Sequence, residues 1–225
     1  MTRRGFIVDV DAVASRPVTR RRKRNSAEPA SNSSTEGTPQ RVIDAAIACI
    51  LAKGYYRASS NEIARWAGLT WGVIQYHFGT REGLMLAAFR DQVKKLIDHS
   101  ESFVFTGETT HEQLWSTYDF LYQFFGQREY LASLEINLNL VRTPSTEEAV
   151  RAETERLRDA LVQVGIRNPA HVVSNGMAVE VLRSVILSHR LRADASLTVV
   201  VDEEKDFLER VEMLIDALAG GLEKA

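Results

Sequence analysis

Ser59 to Thr80 leave the chain very little conformational freedom. In "SSNEIARWAG", Ser59 followed by Glu62 has the spacing of a capping box and sets a short helix from about Ser60 to Ala67. Gly68 supplies the left-handed residue for a sharp turn. The chain then restarts at once: Thr70 is placed to cap a second short helix through "WGVIQYHF", and Thr80 to cap the next, running past Phe89 to around His99. Two short capped helices joined by a tight turn make a helix-turn-helix.

The second of these helices has an unusual outer side. On a wheel of about 100° per residue counted from Thr70, Val73, Ile74, His77 and Phe78 fall within about 80° of zero and form the inner face. Trp71, Gly72, Gln75 and Tyr76 lie opposite, with none of the charges that usually solubilise a surface helix. In a helix-turn-helix this second helix enters the DNA major groove. Gly72 lets the backbone approach the duplex, Gln75 can offer a paired donor and acceptor to adenine, and Trp71 can press on a thymine methyl. Tyr76, Ser59, Ser60 and Thr70 suit phosphate oxygens, and Arg81 adds a full positive charge beside Thr80. His77 falls on the inner side, as a packed or phosphate-facing histidine.

Charge is distributed to match. Residues 1–90 carry 14 Lys/Arg against 7 Asp/Glu, whereas residues 91–225 carry 14 against 23, so the net charge of −2 hides a basic N-terminal part. Five of those positives are Arg20, Arg21, Arg22, Lys23 and Arg24, in a Ser/Pro/Gly-rich arm over residues 1–37 that offers almost nothing to bury. The recognition helix has no Lys or Arg, which leaves counterion release to other parts, and an N-terminal arm of this kind can reach into a minor groove.

Beyond the arm the pattern is helical throughout. Thr38 caps a helix with Pro39 at its first position, carrying Val42, Ala46, Cys49 and Ile50 at helical spacing up to Gly54. Further helices follow over "HEQLWSTYDFLYQFFG" and "REYLASLEINLNLVR". Next come "STEEAVRAETERLRDALVQVG", with a capping box at Ser145/Glu148, a helix opened by Pro169, and the last over "DEEKDFLERVEMLIDALAGG". The expected fold is all-α. No nucleophile–base pairing, metal-ligand spacing or phosphate loop stands out, so no enzyme, cofactor or metal is expected. A single cysteine, Cys49, on an apolar stripe fits an inert core residue and a reducing, cytoplasmic setting. No apolar run approaches the length of a membrane span.

The stretch Thr38 to Phe89 resembles the DNA-binding domain of the TetR family of bacterial transcriptional regulators. The matching residues are Ala46, Gly54, Tyr55, Ile63, Ala64, Ala67, Gly68, Gly72, His77, Phe78, Arg81, Leu84 and Leu86. Gln75 departs from the pattern, in which tyrosine is most frequent. The resemblance implies three parts: the arm at 1–37, a helix-turn-helix domain at 38–84, and a ligand-binding and dimerisation domain at 85–225. By position, Thr70, Trp71, Gly72, Val73, Gln75, Tyr76 and His77 are similar to the family's DNA-contacting set, and Arg81 to its phosphate-reaching lysine or arginine. The resemblance also implies a small, largely apolar effector, a palindromic operator in double-stranded DNA, a nucleoid-associated location and a homodimer paired through the last two helices.

The effector cavity is then expected near the nearly all-round apolar helix "LWSTYDFLYQFF". Its candidate lining is Trp115, Tyr118, Asp119, Tyr122 and Phe125, with Leu134, Asn137, Leu138 and Val141 from the next helix. Glu135, Asn139 and Arg142 are further candidate polar orienters. Together these readings predict a repressor of its own or neighbouring genes. An activating or ligand-independent DNA-organising protein of the same fold, an enzyme and a protein-interaction module are the rivals.

Overall fold

A computed structural model describes residues 37–195 and 204–224, all of which lie in a unit spanning Thr35–Ala225. The basic residues Arg20, Arg21, Arg22, Lys23 and Arg24 fall outside the described residues. The elements are α1 (Thr38–Lys53), α2 (Ser60–Ala67), α3 (Trp71–Phe78), α4 (Arg81–Ser102), α5 (Thr110–Phe125), α6 (Arg128–Leu140), α7 (Glu147–Arg167), a 3-10 turn at Val172–Ser174, α8 (Gly176–Ala195) and α9 (Glu204–Leu222). The fold is all-α, with an N-terminal helix-turn-helix head and a C-terminal helical domain.

Local signals set most boundaries. Gly54 ends α1 at φ +81°, and Thr80 Oγ1 accepts the Gly83 N–H at 3.0 Å to open α4. Thr109 and Glu112 form a reciprocal capping box at the start of α5. Four expected starts shift or lose their cap. Gly37, not Thr38, occupies the cap of α1, so Pro39 sits one position further in. Ser145/Glu148 makes no capping box: Thr146 is the residue before α7, and its hydroxyl is taken by the carbonyls of Leu140 and Thr143. Pro169 opens no long helix, because the 3-10 turn intervenes and α8 begins at Gly176, with Asn175 Oδ1 accepting the Ala178 N–H. Thr70 precedes α3 as expected, but its side chain makes no capping bond.

Two apolar cores hold the molecule. The first gathers Val42, Ala46, Cys49 and Ile50 of α1, Ile63, Ala64 and Ala67 of α2, Ile74 of α3 and Leu84, Met85, Ala88 and Phe89 of α4. It continues onto Ala132, Ile136 and Leu140 of α6 and Val150 of α7. The second joins Leu114, Phe120, Leu121 and Phe125 of α5 with Ala178, Leu182 and Ile186 of α8 and Phe207, Val211 and Ile215 of α9. Burial pushes the Cys49 thiol above its ordinary value, which keeps it protonated and inert.

Candidate nucleic-acid interface

Ser59 Oγ accepts the Glu62 N–H at 3.3 Å, so α2 starts where the sequence places it. Gly68 takes φ +65° and its N–H reaches the carbonyls of Ala64 and Arg65, while the Leu69 N–H bonds to Ala64 at 2.9 Å. That closes α2 and turns the chain directly into α3. Ile74, fully buried, pins α3 to the head core.

The buried stripe on α3 is rotated from the expected one. Trp71 and Phe78 pack beside Ile74, at i, i+3 and i+7, whereas Val73 is 37% exposed. The wheel is centred on Thr70, but the core attracts the large rings, and turning the helix by most of one residue brings both against it. Trp71 is therefore half-buried, and Val73 joins the outer face. Thr70, Gly72, Gln75 and Tyr76 are exposed, Tyr76 at 85%. His77 is half-buried, its ring 5.2 Å from that of Tyr76. A Cβ on Gly72 would meet only Thr70 Oγ1, at 3.8 Å.

Arg81 departs from expectation most. Its Nε donates to the Ala58 carbonyl at 3.1 Å, one Nη to the Tyr55 carbonyl at 2.6 Å, and its guanidinium lies 4.4 Å over the Tyr55 ring. The charge is turned inward to brace the α1–α2 turn, because two carbonyls left over at a turn offer charge-assisted bonds that solvent does not improve on. In the chain without DNA, Arg81 therefore points into the turn rather than outward.

The capping box at Ser59/Glu62 is also only half made. The Ser59 N–H goes to the Arg57 carbonyl at 2.9 Å, and the Glu62 carboxylate instead collects Lys53 Nζ, Arg65 Nη2 and, at 3.0 Å, the indole N–H of Trp66. Hydrogen bonds from Lys53 and Arg65 pull the Glu62 carboxyl down to about 2. A depressed carboxyl stabilises the fold above its unfolded value, near 4.3, and that contribution is lost as pH falls toward 2. Glu62→Gln should therefore show a shallower loss of melting temperature than wild type between pH 4.5 and about 2. Parallel acid limbs in the two proteins would remove Glu62 from the acid response.

Sequence reasoning passed over Tyr56, 85% exposed, and the exposed Arg57 in the turn before Ser59, together with exposed Asn61 and Arg65 on α2. The signal was present in "YYRASSNE": an aromatic and an arginine ahead of a helix N-terminus, where anions bind. Ser59 is exposed and Ser60 half-buried at the same end.

The candidate effector lining divides. Tyr118 and Phe125 are buried and Trp115 and Tyr122 half-buried in the second core, with ring centroids 5.4 Å apart for Trp115–Tyr118 and 5.5 Å for Tyr118–Tyr122. Asp119 is exposed and bonds to Gln123 at 2.9 Å, and Leu138 and Val141 are 47% and 41% exposed, so these three do not line an enclosed cavity with the aromatics. Leu134 is half-buried. Asn137 and Val141 instead edge an open recess of about 280 Å³ with Val150, Arg151 and Thr154 of α7. Elsewhere on the surface, His111 Nε2 of α5 lies 3.4 Å from a carboxylate oxygen of each of Glu212 and Asp216 of α9. No helix among the described residues is long and apolar enough to cross a membrane.

Comparison with known proteins agrees with this geometry. Residues 42–88 match the bacterial regulatory proteins of the tetR family, a stretch that holds α2, the turn and α3. The chain is 26% identical over 160 residues to the HTH-type transcriptional regulator BetI of Brucella anthropi, covering 68% of this chain and 82% of that one. It is 29% identical over 73 residues to the fatty acid metabolism regulator protein of Bacillus subtilis, covering 32% of this chain and 38% of that relative's length. The solved structure of the transcriptional regulator FadR from Bacillus subtilis in complex with stearoyl-CoA superposes with a TM-score of 0.54 at 16% identity, covering 81% of this chain and 98% of that one. Over residues 42–88 the chain thus matches the bacterial regulatory proteins of the tetR family, and over about two thirds of its length it is similar to a transcriptional regulator.

Proposed function

We propose that the chain is a homodimeric repressor that binds a palindromic operator through α3 and is released by a small, largely apolar effector. The observation that carries the DNA reading is the outer face of α3, where Gly72, Gln75 and Tyr76 stand clear of the core on a helix pinned from behind by Ile74. Thr70, left without a capping duty, and Ser59 at the head of α2 complete the candidate set of phosphate partners. Positive charge would come from the arm at Arg20, Arg21, Arg22, Lys23 and Arg24 and from Arg57 and Arg65, since Arg81 is engaged.

Dimerisation through α8 and α9 is supported by their outward apolar side chains. Met177 and Met213 are 69% and 71% exposed, and Val185, Leu214 and Leu218 are only half-covered by the second core. Exposed large apolar groups beside half-covered ones suit a face that a second copy closes. An apolar effector is supported by the aromatic lining of α5 and by the stearoyl-CoA bound to FadR. It would act by binding one arrangement of the two heads better than the other.

The test is a footprint of the full-length protein on DNA flanking its own gene, with excess competitor DNA. A protected inverted repeat is expected. Salt-sensitive smearing without protection would overturn the repressor reading. Repeating the titration with residues 1–37 deleted should flatten the salt dependence, and an unchanged slope would exclude the arm. On the protected site, Gln75→Ala should relax preference at one base pair by about 1–3 kcal/mol, measured against single-base operator variants. Uniform weakening on every variant would instead reduce Gln75 to a phosphate contact.

A further inference from the structure

The α1–α2 turn is held from two sides by groups of opposite charge. The Tyr55 N–H donates to Glu135 Oε2 of α6 at 2.9 Å, across 80 residues of sequence. The carbonyl of the same residue accepts from Arg81 at the start of α4 at 2.6 Å, and Arg81 also takes the Ala58 carbonyl. The amide that donates to Glu135 accepts the Ala58 N–H at its Gly54 carbonyl, the next accepts the Ser59 N–H at its Arg57 carbonyl, and the third ends on Arg81 at the Ala58 carbonyl. An anion and a cation thus polarise the three hydrogen-bonded peptides in the same sense. The turn leads directly into Ser59 and α2, and Arg81 opens α4 after only Gly79 and Thr80 separate it from α3, so a single short segment ties α6 to both helices of the helix-turn-helix.

Packing runs along the same line. Ala132, Ile136 and Leu140, at i, i+4 and i+8 on α6, belong to the core of the head. Tyr130, at the other end of α6, packs on the second core and lies 4.8 Å from Phe125. α6 therefore touches both cores, and Glu135 gives it a polar tie to the head.

We infer that Glu135 is the positioning residue through which the C-terminal domain sets the placement of the helix-turn-helix, by fixing the Tyr55 turn between itself and Arg81. This inference rests on the DNA-binding reading above and specifies how that site is regulated. A shift of α6 relative to α5 carries the Tyr55 turn with it and changes where α2 and α3 meet the duplex. Without the carboxylate, the head keeps its own core and its Arg81 brace but loses its polar tie to α6.

The experiment uses the full-length chain in three forms: wild type, Glu135→Ala and Glu135→Gln, whose amide oxygen can still accept the Tyr55 N–H. Hydrogen exchange read by mass spectrometry on the segment 54–59, without DNA, should quicken about tenfold in Glu135→Ala, with the segment 42–50 of α1 unchanged and Glu135→Gln close to wild type. Affinity for the footprinted operator should fall about tenfold in Glu135→Ala and recover most of that loss in Glu135→Gln. Wild-type exchange at 54–59, or wild-type operator affinity, in Glu135→Ala would overturn the inference. Quickened exchange in α1 as well would also overturn it, because Glu135 would then be stabilising the head rather than placing it. If the wild-type chain binds no operator, the repressor reading fails instead; the exchange measurement distinguishes the two failures because it needs no DNA.

Discussion

Gly83→Ala is expected to disrupt the junction between α3 and α4. A Cβ at position 83 would lie 2.2 Å from the carbonyl oxygen of Phe78, the last residue of α3. That atom is backbone, and its position is fixed: the same oxygen accepts the Thr80 N–H at 2.9 Å. Two effects oppose each other. Replacing glycine by alanine inside a helix gains roughly 0.5–1 kcal/mol from reduced unfolded-state freedom. Relieving an overlap of about 1 Å requires α3 and α4 to part, at a cost of roughly 2–4 kcal/mol by the scale of overpacked cores. The clash wins. A melting temperature lower by roughly 5–10 °C is expected, and, if α3 meets DNA as proposed, loss of specific binding as α3 tilts. A melting temperature at or above wild type would show that α4 starts elsewhere than the structure places it.

Gly83 also marks where the sequence was hard to read. A glycine in the first turn of a long helix is opposed by propensity and invites the question of what approaches it, but the answer lies on another helix. Signals confined to a few residues were legible: Ser59 and Thr80 as caps, Gly54 and Gly68 as stops, and the helical reading of "EINLNL" all rest on local geometry. Signals that depend on a distant partner were not. Glu62 abandons the Ser59 N–H because Lys53, brought up by α1, offers a charge. Arg81 turns inward because the Tyr55 and Ala58 carbonyls are presented by a turn some two dozen residues upstream. The Ser145/Glu148 pattern failed in the same way, since Thr146 was drawn into the end of α6 instead.

The candidate DNA face shows both outcomes on one helix. Gly72, Gln75 and Tyr76 stand exposed as read, because anything opposite Ile74 must face out of the head. Trp71 and Val73 exchanged places because an eight-residue helix is oriented by its largest rings rather than by the mean of its apolar positions. The candidate effector lining fared less evenly for a related reason. A helix apolar on nearly every side gives no periodic clue to which residues meet a neighbouring helix and which face open space. Tyr118 and Phe125 therefore proved to be core, while Leu138 and Val141 lie at the surface.

Gly72→Glu should separate folding from DNA binding. At position 72 an added Cβ meets only the Thr70 hydroxyl at 3.8 Å, so the protein offers no steric objection. The site lies in the first turn of α3, which has no acidic residue of its own, and a carboxylate there interacts favourably with the helix N-terminus by roughly 0.3–1 kcal/mol. Removing a glycine from the helix adds a gain of the same size, about 0.5–1 kcal/mol. The free protein should thus melt at or slightly above the wild-type temperature. On DNA the same side chain occupies the gap through which the backbone approaches the groove and brings a negative charge against the phosphates, with Arg81 too engaged to compensate. Operator affinity should fall by at least about a hundredfold, on the order of 3 kcal/mol. Folding is read by calorimetry and binding by titration against the footprinted site, so each can fail alone. A stable Gly72→Glu protein that still binds its operator normally would mean that the outer face of α3 does not meet the duplex, and the DNA contact would have to be sought on α2 and the Tyr56–Arg57 turn.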